Sequence, residues 1–219
     1  MRTSALLRTA DTTILIDAGP DFRAQALAAR LTHLDAVLLT HSHFDHVAGL
    51  DDLRPLCFHR GCVPVYGSDR TLSEVRERFA YAFNETSAGS TRPSLDLRPT
   101  DRPFLVGDLA IRPFDVLHGT WTITGYRVGG LGYVTDASSI PPASWAVLKD
   151  LDVLVLNALR HEPHPTHYTL AQALDVIAAL GPRRAYLVHM THGIDHATGT
   201  SLPPGVEFAY DGLEVTVEL

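Results

Sequence analysis

The chain of 219 residues, 45% hydrophobic and 20% charged, has a composition that suits a globular protein with a sizeable core. Its formal charge of −7 argues against a diffuse polyanion-binding surface. No apolar run approaches the roughly 18 residues of a membrane span, and the start of the chain has no adequate apolar segment for a signal peptide.

A cytoplasmic protein built as a single domain over residues 1–219 is expected, with Cys57 and Cys62 as free thiols. In chain order, "TTILIDAG" (12–19) reads as a buried strand ending in a Gly turn. A helix over 21–31 follows, with Asp21 placed to cap it. "DAVLLT" (35–40) is a second buried strand, and "DHVAGLDDLRPL" a short helix stopped near Pro55. A strand over 63–68 leads into an amphipathic helix over 69–83. The Ser-, Thr-, Pro- and Gly-rich stretch 84–103 reads as a long surface loop, in the manner of a flap. Strands are expected over 109–119, 121–129 and 131–138, a short helix at "SWAVLKDL", and a strand over 152–159. A helix over 169–181 presents Leu170, Ala173, Leu174, Ile177 and Leu180 on one face and stops at Gly181. A strand over 184–190 and a hairpin around Asp211-Gly212 in 206–219 complete the pattern. Mixed runs of strands and helices suggest layered sheets with helices outside, an α+β class.

The chain holds 12 histidines, and their placement carries the chemistry. "THSHFDH" puts His41, His43, Asp45 and His46 directly after a buried strand. A single solvated His-x-His pair would need no explanation, but four nitrogen and oxygen donors in this spacing suit zinc, manganese or iron. Further donors close other apolar runs: His118 ends "FDVLH", Asp136 ends "GYVTD" and His189 ends "AYLVH". Asp17, at the end of the first strand, is the candidate carboxylate for orienting an imidazole. His161, His164 and His196 read as loop histidines.

This pattern resembles the metallo-β-lactamase superfamily, with His-x-His-x-Asp-His followed by a distant His, an Asp and a final His. The resemblance implies a four-layer αββα sandwich, here lacking the usual first N-terminal strand, and two divalent metal ions per chain, Zn2+ or Mn2+, with Fe also tolerated. By position it implies His41, His43 and His118 on the first metal, Asp45, His46 and His189 on the second, and Asp136 bridging them. "IDAGPDFR", "HFDHVAGLDDLRP", "PHPTHYTLAQAL" and "LVHMTH" look more closely like the PhnP-type phosphoribosyl cyclic phosphodiesterases. That likeness implies a substrate-phosphate contact at His167. It implies attack on a small cyclic or nucleotide-like phosphodiester by a metal-bridging hydroxide, with Asp45 and His167 catalytic. His192, Arg54 and Arg23 are further candidates for substrate contact.

Alternatives on the same motif are a tRNase Z-type RNA 3′-end nuclease and a thioester or lactone hydrolase. The loop 84–103 offers only Arg92, Arg98 and Arg102 as cations, which ranks RNA below a small substrate. A binding module with a degenerate site would hold fewer than two metals. A homodimer is compatible with the sequence.

Overall fold

A computed structural model describes residues 1–84, 91–195 and 201–218, and the expected loop histidine His196 lies outside them. The chain divides into two compact units, Met1–Leu109 and Ala110–Leu219.

The first unit holds a sheet in the order β1 (Ala5–Arg8), β2 (Thr13–Ile16), β3 (Ala36–Leu38), β4 (Val63–Gly67) and β5 (Leu95–Pro99). β1 runs antiparallel to β2, and the other pairs are parallel. The continuous apolar runs of β2 and β3 are buried throughout, as expected of strands covered on both faces. Leu15, Val37 and Val65 pack with Phe22, Leu50, Leu53 and Val75 in one apolar cluster. The helices on this cluster are α1 (Phe22–Ala28), α2 (Phe44–Val47), α3 (Arg54–Arg60), α4 (Asp69–Arg78) and α5 (Ala80–Phe83). A 3-10 stretch over Ala48–Leu53 joins α2 to α3.

Several expectations change here. Pro55 sits in the first turn of α3 and does not stop a helix, because the missing N–H of proline is harmless there. The helix expected over 69–83 breaks at Phe79, whose φ of −107° and ψ of 35° are not helical. Asp21 stands at the N-cap of α1 without bonding into the helix; its carboxylate accepts from the Arg2 backbone N–H at 2.6 Å instead. The stretch 84–103 is not all loop: Leu95 and Leu97 pair with Val63 and Val65 as β5, a tertiary pairing that overrides the turn-rich composition. Residues 85–90 of that stretch lie outside the described ones. β6 (Phe104–Val106) follows.

The backbone of residues 17–19 and the 3-10 stretch sit in close contact. A Cβ on Gly49 would lie 2.2 Å from the Gly19 carbonyl oxygen and 2.6 Å from Phe22 Cβ. Gly49→Ala is therefore expected to cost about 1–3 kcal/mol through overpacking, read as a lower urea midpoint. An unchanged midpoint would contradict this close seating.

The second unit carries β7 (Leu109–His118), β8 (Trp121–Val128), β9 (Leu131–Val134), β10 (Val153–Asn157), β11 (Arg184–Val188) and β12 (Val206–Phe208), ordered β12-β11-β10-β9-β8-β7. β7 through β9 form an antiparallel meander, while β10 runs parallel to β9 and β11. α6 (Pro142–Trp145) is shorter than expected. α7 (Leu170–Leu180) opens on a capping box between Thr169 and Gln172 and closes on Gly181 at φ 60°, so both ends satisfy their backbone groups. Leu170, Ala173 and Ile177 join Leu154, Leu156 and Leu187 in the core, with Leu174 and Leu180 packed against it. The C-terminal hairpin does not form: residues 213–218 make no strand, and β12 pairs in parallel with β11. The C-terminal segment is held instead by the Gly130 N–H on the Glu218 carbonyl and by Arg184 on the Thr216 carbonyl.

Candidate metal centre

In the first unit, the donors leave β3 through Thr40 and enter α2 at its N-terminus. Asp17 organises them. Its fully buried carboxylate accepts from the Thr40 N–H and the Thr40 hydroxyl, each at 2.8 Å, and lies 2.7 Å from His46 Nδ1. A carboxylate accepts only, so His46 carries its proton on Nδ1 and presents the lone pair of Nε2. The Thr40 hydroxyl spends its proton on Asp17 and so accepts from His41 Nδ1 at 3.0 Å. That leaves the lone pair of His41 on Nε2 as well. His41 Nε2 and His43 Nδ1 stand 3.0 Å apart. His46 Nε2 and an Asp45 carboxylate oxygen stand 3.4 Å apart. A tetrahedron with about 2.0–2.1 Å metal–nitrogen bonds has an edge of about 3.3 Å, so both pairs have the separation of two ligands on one cation.

The second unit repeats this logic. His118 Nδ1 lies 2.7 Å from the Asp136 carbonyl oxygen and 2.9 Å from that of Thr166; both can only accept, so its Nε2 keeps the lone pair. One oxygen of Asp136 lies 3.3 Å from His189 Nε2 and 3.1 Å from His167 Nε2. The other accepts from the Thr135 hydroxyl at 2.6 Å. Asn157, fully buried at the end of β10, holds the next residue through both its amide atoms: Oδ1 accepts from the Ala137 N–H at 2.7 Å and Nδ2 donates to the Ala137 carbonyl at 3.0 Å. The Asp136 carboxylate is thus aimed by its neighbours on both sides.

His167 is placed by Thr166 and His164. Its Nδ1 lies 2.9 Å from Thr166 Oγ1 and 3.1 Å from His164 Nδ1. Its ring stacks on His189 with centroids 5.2 Å apart. Desolvation lowers the His164 pKa, and His167 beside it adds to the effect.

Among the described residues, five other than glycine have a positive φ, and three of them are Asp17 at 60°, Asp136 at 56° and His189 at 57°. Each stands within two residues of a strand end. Left-handed backbone at such residues is uncommon and gathers at functional sites.

Every metal candidate of the sequence therefore belongs to one of two clusters of donors, His41, His43, Asp45 and His46 in the first unit, and His118, Asp136 and His189 in the second. Asp17 orients His46 directly and His41 through Thr40. Thr40, Thr135 and Asn157 were missed; their only sequence signal is a polar residue closing an apolar run. Arg54 reaches the Asp51 carboxylate. Arg23 and His192 are exposed. Cys57 is a buried free thiol whose pKa burial raises, and Cys62 is an exposed one.

The donor chemistry fits a divalent cation. The residues offer neutral imidazole nitrogens with fixed tautomers alongside carboxylate oxygens, the set that borderline metals prefer, and partners such as Asp17 hold them in place.

Comparison with known proteins agrees. A family model described as beta-lactamase superfamily domain matches residues 12–190. An octanoyltransferase of Porphyromonas gingivalis (strain ATCC BAA-308 / W83) is 42% identical over 224 residues, covering 99% of this chain and 45% of that protein. The chain spans less than half the length of the curated relatives it matches. The crystal structure of a diphosphatase from the PhnP family is 37% identical with a TM-score of 0.90, covering 100% of this chain and 86% of that one. Zn2+-bound PqqB from Methylobacterium extorquens, 20% identical with a TM-score of 0.77 over 98% of this chain and 87% of that one, is alike in fold.

Proposed function

The chain belongs to the beta-lactamase superfamily, is PhnP-like and has the metallo-β-lactamase fold, and from that premise we propose that it is a dinuclear metal-dependent phosphodiesterase acting on a small cyclic or nucleotide-like phosphodiester. In this reading His41, His43, His118 and Asp136 hold one cation, and Asp45, His46, Asp136 and His189 hold the other, four donors to each. The two units are then halves of one domain.

When bound, the cations supply Lewis-acid charge, which lowers the pKa of water to about 7 and draws the phosphoryl oxygens. The chain's own residues do the rest. Asp45, with a side chain 40% exposed, orients the attacking water as well as ligating. Asp17 and Thr40 hold His46 and His41 in their working tautomers. His167 is the observation that carries the choice of phosphate: an imidazole outside the proposed ligand set, with Nε2 3.1 Å from Asp136 and Nδ1 held by Thr166. An N–H at Nε2 can swing from that carboxylate to a phosphoryl oxygen and, in the imidazolium form, protonate the leaving alkoxide. Attack on a phosphodiester gathers two negative charges on non-bridging oxygens, against one on the oxyanion of a thioester or lactone, so an added donor beside the cations is worth more to the phosphodiester.

The 37% identity to a PhnP-family diphosphatase favours a second reading, in which the bond cleaved is a phosphoanhydride. Both are tested by offering the zinc- or manganese-loaded protein bis(p-nitrophenyl) phosphate, a cyclic ribose phosphate, a nucleoside diphosphate ester and a thioester. Turnover of the phosphodiesters is expected. Turnover of the diphosphate alone would favour the second reading, and turnover of the thioester alone would overturn both.

A further inference from the structure

Between His41 and His43 stands Ser42, fully buried, and helix α4 holds it by both its hydroxyl and its carbonyl. The Ser42 hydroxyl donates to the Glu74 carboxylate. The Ser42 carbonyl accepts from the Arg78 guanidinium. The two helical residues are bonded to each other, Arg78 Nη2 donating to Glu74 Oε2 at 3.0 Å. Arg70, one turn earlier, donates to the other Glu74 oxygen at 3.0 Å. Arg70, Glu74 and Arg78 form a stripe at i, i+4 and i+8, while Leu72 and Val75 on the same helix are buried in the core. The helix start is fixed by Ser68, whose side chain accepts from the Thr71 N–H. The stripe is therefore mounted on a rigid element.

The geometry that needs support is the convergence of two imidazoles. His41 Nε2 and His43 Nδ1 stand 3.0 Å apart, and the backbone torsions of the single residue between them set that separation. A rotation of the Ser42 peptide would swing one ring away from the other. We propose that Glu74 and Arg78 are positioning residues for cation binding: together they lock Ser42 and so aim His41 and His43 at one point. The proposal rests on the preceding reading that these histidines are metal ligands. The Glu74–Arg78 pair is partly exposed, with side chains 27% and 39% accessible, and such an i,i+4 pair adds little to folding. The effect of the ion pair should therefore show in metal affinity, while stability of the metal-free protein should register only the acceptor that Glu74 gives the buried Ser42 hydroxyl.

The test is a titration of the full chain with zinc alone, against a chromophoric chelator, alongside thermal melts of the metal-free protein. Glu74→Ala and Arg78→Ala are expected to weaken the tightest zinc binding about 10- to 100-fold, the range for partners of metal ligands; Arg78→Ala should change the metal-free melt little, whereas Glu74→Ala should lower it, because the buried Ser42 hydroxyl loses its acceptor. Glu74→Gln keeps an acceptor for the Ser42 hydroxyl and should retain most of the affinity. Arg76→Ala removes a different cation of the same helix, one whose guanidinium lies over the Phe83 ring at 4.7 Å, and should bind zinc like the wild type. Glu74→Gln and Arg78→Ala therefore carry the comparison with Arg76→Ala. Wild-type affinity in Glu74→Ala and Arg78→Ala would overturn the proposal, as would an Arg76→Ala loss equal to that of Arg78→Ala. A wild type that binds no zinc would overturn the metal-centre reading and this proposal with it.

Discussion

Asp136→Ala is expected to reduce phosphodiester turnover by well over a hundredfold and to leave the chain unable to retain two zinc ions through gel filtration. The reasoning begins with what this carboxylate touches. One oxygen faces the Nε2 atoms of His189 and His167 at 3.3 and 3.1 Å, and the other is held by Thr135 at 2.6 Å. As the proposed shared ligand, Asp136 supplies negative charge to both cations, and its loss removes a donor from each set. Partners that merely orient ligands are worth about 10- to 100-fold, so a ligand common to two sites should exceed that. Alanine also loses the anion that faces the His189 and His167 rings. Metal content by elemental analysis, measured with turnover, checks the result. Two retained zinc ions and near-wild-type rates would remove Asp136 from the centre.

The second large effect is expected at Asp17. Its carboxylate is fully buried and serves Thr40 N, Thr40 Oγ1 and His46 Nδ1 at 2.7 to 2.8 Å. Asp17→Asn is the sharper probe, because asparagine tolerates the left-handed backbone at φ 60°. Its amide turns one of two accepting oxygens into a donor, which must then face a hydroxyl, an N–H or the Nδ1–H of His46. A buried donor left without an acceptor costs about 1–3 kcal/mol, so the urea midpoint of the metal-free protein should fall. Zinc affinity should fall with it, about 10- to 100-fold, because His46 and, through Thr40, His41 lose the bonds that select their tautomers. A variant that loses stability but binds zinc as tightly as the wild type would make Asp17 a folding residue alone.

What could be read in the chain beforehand follows from how local each signal is. The runs around Ile14, Val37, Leu154 and Leu187 announce buried strands because both faces are covered, so every position is apolar. The donors were legible for the complementary reason, since His118, Asp136 and His189 close apolar runs where a core residue belongs. β5 was not legible: Leu95 and Leu97 sit among Pro, Ser and Thr, and only pairing with β4 makes them a strand. The break at Phe79 was hidden because the apolar spacing of 69–83 continues across it. The partners that steer the centre were equally hidden. Asn157 and Ala137 are 20 positions apart, and Ser42 and Arg78 are 36 apart. No window of sequence contains both members of such a pair.

The left-handed turns at Asp17, Asp136 and His189 carry a consequence for how this chain can vary. At each of these positions the side chain answers to two separate demands, the chemistry of its tip and the torsion of its root. Valine, isoleucine or threonine would be refused by the backbone before any loss of function was felt, while glycine would satisfy the backbone and fail the chemistry. Drift at these three places is therefore confined to a handful of short or flat polar side chains, however freely the neighbouring strands exchange one aliphatic residue for another.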